Sequence, residues 1–488
     1  MTKKLVRVQS EIPGLDTVLC GGLVQGASYI VQGSPGSGKT ILANQLAFSH
    51  ARRGQKVLYV TLLAESHDWL FQSLSTLDFY DASRVGVDLF YISLFQTLRD
   101  EGLSALVAML RRELLRHRCS MLVLDGLLIA KDRAQTTLDV KTFVAELQGH
   151  AAFTGCTVLF LTSASVEDAG PEHTMVDGVL QLREELSGNR SVRQLRVSKS
   201  RGSGAHGGYH QYDISARGIT VYPRLEKVYA RPTVPLAMPQ ARAPSGVAGF
   251  DELIGGGLPQ ASVTLLLGPS GSGKTTFGLN FLRLASEAEP ALHFGFYESP
   301  DRLLAKAKAL DIDIEGLVAA GHLQLMWQPL TENLVDQLGH ALLDAVSARG
   351  VKRLFIDGFG GFQRAALEPG RLVEFLTALS NELRARGVTT VVTAELRQLM
   401  GPSVTDPLPE MSSLMDNMVM LRQTEMESEI QRLLAVVKIR DSGFDPSIHV
   451  TTIGPGGLSI HKRASRAEGL LTGTARHVAG TGPSSERT

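Results

Sequence analysis

The sequence predicts an α/β protein made of two tandem phosphate-gripping domains, each a mostly parallel sheet with helices on both faces. Three observations predict it. The loop GSPGSGKT at 33–40 returns as GPSGSGKT at 268–275. Other landmarks around the two loops recur in the same order at nearly the same spacing. Within each copy, short apolar runs alternate with segments of helical length, the pattern of βαβ units.

The repeat sets the domain organisation. IPGLDTVLCGGL (12–23) is echoed by VAGFDELIGGGL (247–258), with Asp16 and Asp251 standing 235 residues apart, the same offset as the loops. LVLDG around Asp125 recurs as LFIDG around Asp357, 232 residues on, and SKSR (198–201) recurs as VKIR (437–440), with Lys199 and Lys438 separated by 239. A period of about 230 residues is a duplicated domain and far too long for a solenoid repeat. The expected division is residues 1–230, a linker over 231–245, a second domain over 246–463 and a flexible tail over 464–488. The linker lies within YARPTVPLAMPQARAPSG, rich in Pro and Ala and lacking periodicity. The tail is short of aromatics and rich in Gly, Ser and Thr.

In the first copy ASYIVQG, QKVLYVTLL, CSMLVLDG and CTVLFLTSA read as buried strands, with KTILANQLAFSHARRG and LSALVAMLRRELLRHR as helices between them. Hydrophobic content is 43% and charged content 20%, which fits a folded globular chain. Forty-nine basic residues balance forty-nine acidic ones, giving no overall pull towards nucleic acid or an anionic membrane. Cys20, Cys119 and Cys156 show no CxxC spacing, so buried thiols in a reducing compartment are expected, without a disulfide framework or zinc site. MTKKLVRVQS lacks the apolar core of a signal peptide, and no apolar run reaches membrane-spanning length. The expected location is cytoplasmic.

The pattern GxxxxGK[ST] turns backbone N–H groups around phosphate oxygens at the positive end of the following helix. Gly33, Ser34, Pro35, Gly36, Ser37, Gly38, Lys39 and Thr40 form the first such cradle, and Gly268, Pro269, Ser270, Gly271, Ser272, Gly273, Lys274, Thr275 and Thr276 the second. Lys39 and Lys274 should reach the β- and γ-phosphates of ATP, and Thr40 and Thr275 should place hydroxyls on Mg²⁺. Asp125 and Asp357 end apolar strands and should hold the magnesium shell; the plainer alternative is an Asp opening a turn before Gly. Glu65 in VTLLAES and Glu298 in FGFYES follow the second strand of each copy and are candidates to orient the attacking oxygen, the alternative being helix-capping carboxylates. Lys199 with Arg201, and Lys438 with Arg440, stand two apart on a strand and share one face. Each pair could reach a neighbouring subunit's phosphate as an arginine finger does, or be an ordinary basic strand end.

The double array of GLD…GGL-like opening, P-loop, strand-end Glu, LDG or IDG and K-x-R resembles the KaiC family of RecA-like ATPases, over residues 8 to 463. The resemblance implies tandem RecA-like folds and a homohexameric double ring with ATP between neighbouring subunits, where Lys199, Arg201, Lys438 and Arg440 act in trans. It implies slow ATP hydrolysis in the first domain and autophosphorylation in the second, on adjacent hydroxyl residues. Ser412 and Ser413 in PEMSSLMDNMVML (409–421) match that acceptor pair, Ser-Ser where the clock kinase has Ser-Thr. The matching first-domain stretch PEHTMVDGVLQL (171–182) has no adjacent hydroxyl pair, so the first site is expected to have only water in reach.

Three features depart from the family. Each strand end carries one glutamate where the family usually has two, Asp441 replaces the glycine after the second K-x-R, and the tail has no clear match to the KaiA-binding segment. The last argues against KaiA binding and for a member outside the clock, with KaiB-like or signalling partners. Two other functions compete. A nucleotide-gated scaffold with little catalysis is favoured by the single glutamates. A DNA-acting RecA-like motor would need a basic or aromatic face that balanced charge and two tryptophans, Trp69 and Trp327, do not suggest.

Overall fold

The computed structural model describes residues 5–62, 67–132, 136–163, 172–231, 241–396, 411–426, 429–440, 442–463, 467–468 and 476–477. The chain divides into two compact units, Met1–Val228 and Tyr229–Thr488. Each is organised around a nine-stranded sheet.

In the first unit the strands are β1 (Ser28–Gly33), β2 (Val57–Thr61), β3 (Leu89–Ser93), β4 (Met121–Asp125) and β5 (Thr157–Thr162), followed by β6 (Gly178–Ser187), β7 (Arg190–Ser200), β8 (Tyr209–Ser215) and β9 (Gly218–Tyr222). They lie in the order β3-β2-β4-β5-β1-β6-β7-β8-β9. The pairs from β3 across to β6 are parallel, and those from β6 out to β9 are antiparallel.

The second unit repeats this with β10 (Val263–Gly268), β11 (Ala291–Gly295), β12 (Leu323–Trp327), β13 (Arg353–Asp357), β14 (Thr389–Glu395), β15 (Asn417–Met426), β16 (Glu429–Ile439), β17 (Ile448–Gly454) and β18 (Gly457–Arg463). Its order is β12-β11-β13-β14-β10-β15-β16-β17-β18, each label nine higher than its counterpart. These are two tandem RecA-like α/β folds with mostly parallel sheets, as the sequence predicts.

The apolar runs read as strands because both faces of the parallel part are covered. Val57 and Tyr59 enter one core with Leu42 and Leu46 of α1 (Lys39–Arg52). Leu58 and Val60, pointing the other way, pack with Leu106 and Leu110 of α2 (Phe95–His117) and with Phe143 and Leu147 of α3 (Thr137–Thr154). Burying one such side chain contributes about 1.5–3 kcal/mol. Apart from the strands that carry the K-x-R pairs, the antiparallel extension and the edge strand β3 were not singled out by the sequence. They are part-exposed, so their residues alternate in character and give a weaker signal than an apolar run.

Placement of the loops follows from the topology. Strand β1 lies mid-sheet and ends at Gly33; α1 begins at Lys39, with Gly38 as N-cap at φ 87°. Strand β10 ends at Gly268, and α4 (Lys274–Leu282) is capped by Gly273 at φ 105°. These left-handed turns let each loop reverse from strand to helix and favour glycine. Among the described residues, no helix is long and apolar enough to cross a membrane.

One buried group in α1 titrates with folding. His50 is 4% exposed and its Nε2 lies 2.9 Å from Ser120 Oγ. Burial, assisted by Arg53, pulls its pKa from 6.5 to about 4. Between those values the unfolded chain holds a proton that the fold excludes, so stability falls as pH drops through this window. In His50→Gln, the slope of unfolding free energy against pH between 6.5 and 4 should be shallower by up to about 1.4 kcal/mol per pH unit. Chemical denaturation across that range measures it; an unchanged slope would contradict the assignment.

Candidate functional site

Each P-loop is closed on itself by its lysine. Lys39 Nζ donates to the carbonyls of Gly33 and Ser34, both at 2.9 Å. Lys274 Nζ donates to those of Gly268 and Pro269 at 2.8 and 2.7 Å. Burial lowers the pKa of both lysines. It is opposed at Lys39 by Asp125, and at Lys274 by Glu395 and then Asp357.

Opposite the loops stand the two strand-end aspartates. Thr275 Oγ1 donates to Asp357 Oδ2 at 2.8 Å, and Thr393 Oγ1 donates to Asp357 Oδ1 at 2.7 Å. In the first unit Thr40 Oγ1 lies 3.4 Å from Asp125 Oδ2, and Tyr59 OH donates to the same oxygen at 3.1 Å. A hydroxyl beside a carboxylate is the hard-oxygen donor set that magnesium uses together with phosphate oxygens and water. Among the described residues no cluster of three or more His, Cys, Asp or Glu could hold a metal alone. The residues present therefore fit a magnesium ion that arrives with a phosphate ligand.

The second P-loop opens into a cavity of about 1000 Å³, lined also by Tyr297, Glu298, Asp357, Arg364, Thr393 and Glu395. Its volume is at the upper end for a small-molecule site. Glu298 lies three residues beyond β11 and pairs with Lys306 Nζ at 2.6 Å. Glu65 lies outside the described residues. Glu395, a third carboxylate in the cavity beside Glu298 and Asp357, went unread in the sequence. It closes the run VTTVVTAE directly after the LFIDG strand, and a search for acids at every apolar strand end would have found it.

The two sites differ beneath the aspartates. Tyr59 pairs in register with Val123, two residues before Asp125, and His293 with Phe355, two before Asp357. Tyr59 is fully buried, and burial first, then Asp125, raise its phenol pKa well above the ordinary value, so it acts as a donor. His293 is 3% exposed, and burial pulls its pKa to about 4 despite Asp357 and Glu298. At the next position Leu161 pairs with Asp125, where the second unit has Thr393.

The four K-x-R cations hold backbone carbonyls of their own unit. Lys438 Nζ donates to Ser412 and Met415, both at 2.8 Å, and Arg440 donates to Ser413 at 3.1 Å. Ser412 and Ser413 are exposed on the four-residue helix Met411–Leu414. Lys199 Nζ donates to His173 and Thr174 at 2.8 and 3.0 Å, and Arg201 donates to Thr174 at 3.3 Å. That helix is Glu172–Met175. Asp441 lies outside the described residues.

Known proteins resemble this chain over nearly its whole length. The model of the family described as "ATPase: KaiC" matches residues 8–226 and again 243–465. The chain is 26% identical to the circadian clock protein KaiC3 of a Synechocystis species, over 98% of this chain and 96% of that protein. It is 26% identical to the circadian clock oscillator protein KaiC of a Picosynechococcus species, over 98% and 94% of the two chains. The corresponding Synechococcus elongatus protein is 24% identical over 97% and 92%.

Thr393→Val removes only the hydroxyl on Asp357. In a Lys39→Ala background it should raise the magnesium concentration needed for ATP to protect against thermal unfolding by about 10–100-fold. A dependence identical to that of Lys39→Ala alone would show that Thr393 does not orient a metal-holding carboxylate.

Proposed function

The chain belongs to the KaiC ATPase family, and from that premise we propose an ATP-hydrolysing homohexamer whose second unit also phosphorylates itself at Ser412 or Ser413. The observation that carries this reading is the exposed Ser412–Ser413 pair on a short helix gripped by Lys438 and Arg440, in the unit whose P-loop cavity presents three carboxylates, Glu298, Asp357 and Glu395. Nucleotide would lie at subunit boundaries, and Lys199, Arg201, Lys438 and Arg440 would face the neighbouring subunit's phosphates. Lys39 and Lys274 would grip the β- and γ-phosphates of ATP. Thr40 with Asp125, and Thr275 with Asp357, are the residues that would hold magnesium, which supplies neutralising charge for the phosphate oxygens.

In the second unit a seryl Oγ attacks the γ-phosphorus and the bond to the β,γ-bridging oxygen breaks. ADP leaves with the electron pair, and the seryl proton passes to a carboxylate, with Glu298 the proposed base. In the first unit Glu65 is the proposed orienter of the attacking group, which in hydrolysis is water. The physiological setting proposed is signalling or timing in the cytoplasm, with KaiB-like or signalling proteins as partners. A phosphate adds close to two negative charges at a subunit boundary, enough to change packing or docking.

A specific contact favours a second reading. Glu298 is engaged by Lys306 at 2.6 Å, so this contact must open before Glu298 can reach a seryl hydroxyl. That would suit a nucleotide-gated scaffold.

Incubation of the whole chain with Mg·ATP, followed by phosphopeptide mapping, separates the two. Phosphate is expected on Ser412 or Ser413 and should disappear in Ser412→Ala/Ser413→Ala. Glu298→Gln should slow its appearance by about 10²–10⁴-fold. ATP hydrolysis without any phosphorylated serine at 412 or 413 would overturn the autokinase reading. Nucleotide binding without turnover, unaltered in Glu298→Gln, would establish the scaffold.

A further inference from the structure

The contacts around the proposed acceptor helix of the second unit are reproduced in the first. Shifting Met411–Leu414 and its surroundings back by 239 residues carries Ser413 to Thr174, Asp416 to Asp177, Lys438 to Lys199 and Arg440 to Arg201. Lys438 on the Ser412 carbonyl (2.8 Å) becomes Lys199 on His173 (2.8 Å). Arg440 on the Ser413 carbonyl (3.1 Å) becomes Arg201 on Thr174 (3.3 Å).

The far end of the helix matches as well. Arg384 of α5 (Leu372–Ala385) donates to the Leu414 carbonyl at 2.8 Å, and Gln148 of α3 donates to Met175 at 2.8 Å. Asp416 accepts from the Val263 amide at 2.9 Å and Asp177 from the Ser28 amide at 3.0 Å, each at the start of the strand that runs into its P-loop. Arg440 lies 3.2 Å from Asp416, and Arg201 3.9 Å from Asp177. The cation pair, the aspartate and the donor at the helix end that fix Ser413 relative to its own P-loop strand therefore each have a counterpart around Thr174, although the second bond of Lys438 goes to Met415 and that of Lys199 to Thr174 itself. Thr174, like Ser413, is exposed.

We propose that Thr174 is a phosphoacceptor of the first unit, taking the γ-phosphoryl group of ATP bound at a first-unit site. The inference rests on the reading of Ser412 and Ser413 as acceptors. It replaces the expectation that the first site has only water in reach. Thr174 Oγ1 forms a bond to the γ-phosphorus and the bond from that phosphorus to the β,γ-bridging oxygen breaks. ADP leaves with the electron pair, and the hydroxyl proton passes to a carboxylate or to solvent. Cations on the flanking carbonyls, Lys199 and Arg201, lie where the new dianion can pair with them.

Phosphopeptide mapping of the full chain after incubation with Mg·ATP tests this, in wild type, Thr174→Ala, Thr174→Ser, Ser412→Ala/Ser413→Ala, Lys39→Ala and Lys274→Ala. Phosphothreonine at 174 is expected in wild type and in the double serine variant. It should persist in Lys274→Ala, fall at least about tenfold in Lys39→Ala, and reappear as phosphoserine in Thr174→Ser. Phosphate on Ser412 or Ser413 with none at 174 overturns the inference and leaves the autokinase reading intact. Phosphate at 174 with none on Ser412 or Ser413 supports the inference and removes that reading. No phosphate anywhere, with ATP hydrolysed, removes both, and loss at 174 in Lys274→Ala but not in Lys39→Ala overturns the assignment to the first-unit site.

Discussion

One carboxylate in each unit fastens the strand that ends in the phosphate loop to the segment that carries the cation pair. Asp416 exchanges hydrogen bonds with Val263 in both directions, at 2.9 and 3.0 Å, while accepting from Arg384 at 2.8 Å and lying beside Arg440. Asp177 does the same with Ser28, at 3.0 and 2.9 Å. A shift of the short helix before either aspartate is thereby transmitted to the strand whose far end forms the P-loop. Charge-assisted hydrogen bonds of this kind are about twice as strong as neutral ones. The short helix and the strand that leads into the phosphate cradle are thus joined through one hydrogen-bonded aspartate in each unit.

Duplication preserved this arrangement and changed the chemistry resting on it. Asp357 has a threonine hydroxyl on each oxygen, whereas Asp125 receives Tyr59 and Thr40 on Oδ2. Arg384, a cation against Asp416, stands where the first unit has the neutral Gln148. The second unit thus grips Asp416 with more charge and holds Asp357 by both of its oxygens. Such differences at matching positions give the two phosphate cradles unlike surroundings.

The features most legible in the sequence were those dictated by backbone geometry and burial. Gly38 and Gly273 reveal the loops because the left-handed cap tolerates little else, and Val57–Thr61 reveals a strand because both its faces are covered. Thr174 was overlooked because PEHTMVDG and PEMSSLMDN differ by one residue in length. Aligned on the prolines, Pro171 and Pro409 lie 238 apart, but the aspartates that join the strands lie 239 apart. The hydrogen bonds select the second register, which is also the offset of Lys199 and Lys438. Glu395 and His293 were hidden for another reason, since polar residues within or at the end of an apolar run carry no periodic signal. The carbonyl grip of the cation pairs was likewise invisible, because it joins segments 23 to 27 residues apart through main-chain atoms.

The whole scheme depends on two phosphate cradles that work in one chain, and nucleotide stoichiometry tests this most directly. Equilibrium binding with a slowly hydrolysed ATP analogue and magnesium should give two nucleotides per chain, falling to one in Lys39→Ala and to one in Lys274→Ala. A single nucleotide per wild-type chain, or binding that neither substitution reduces, would contradict it.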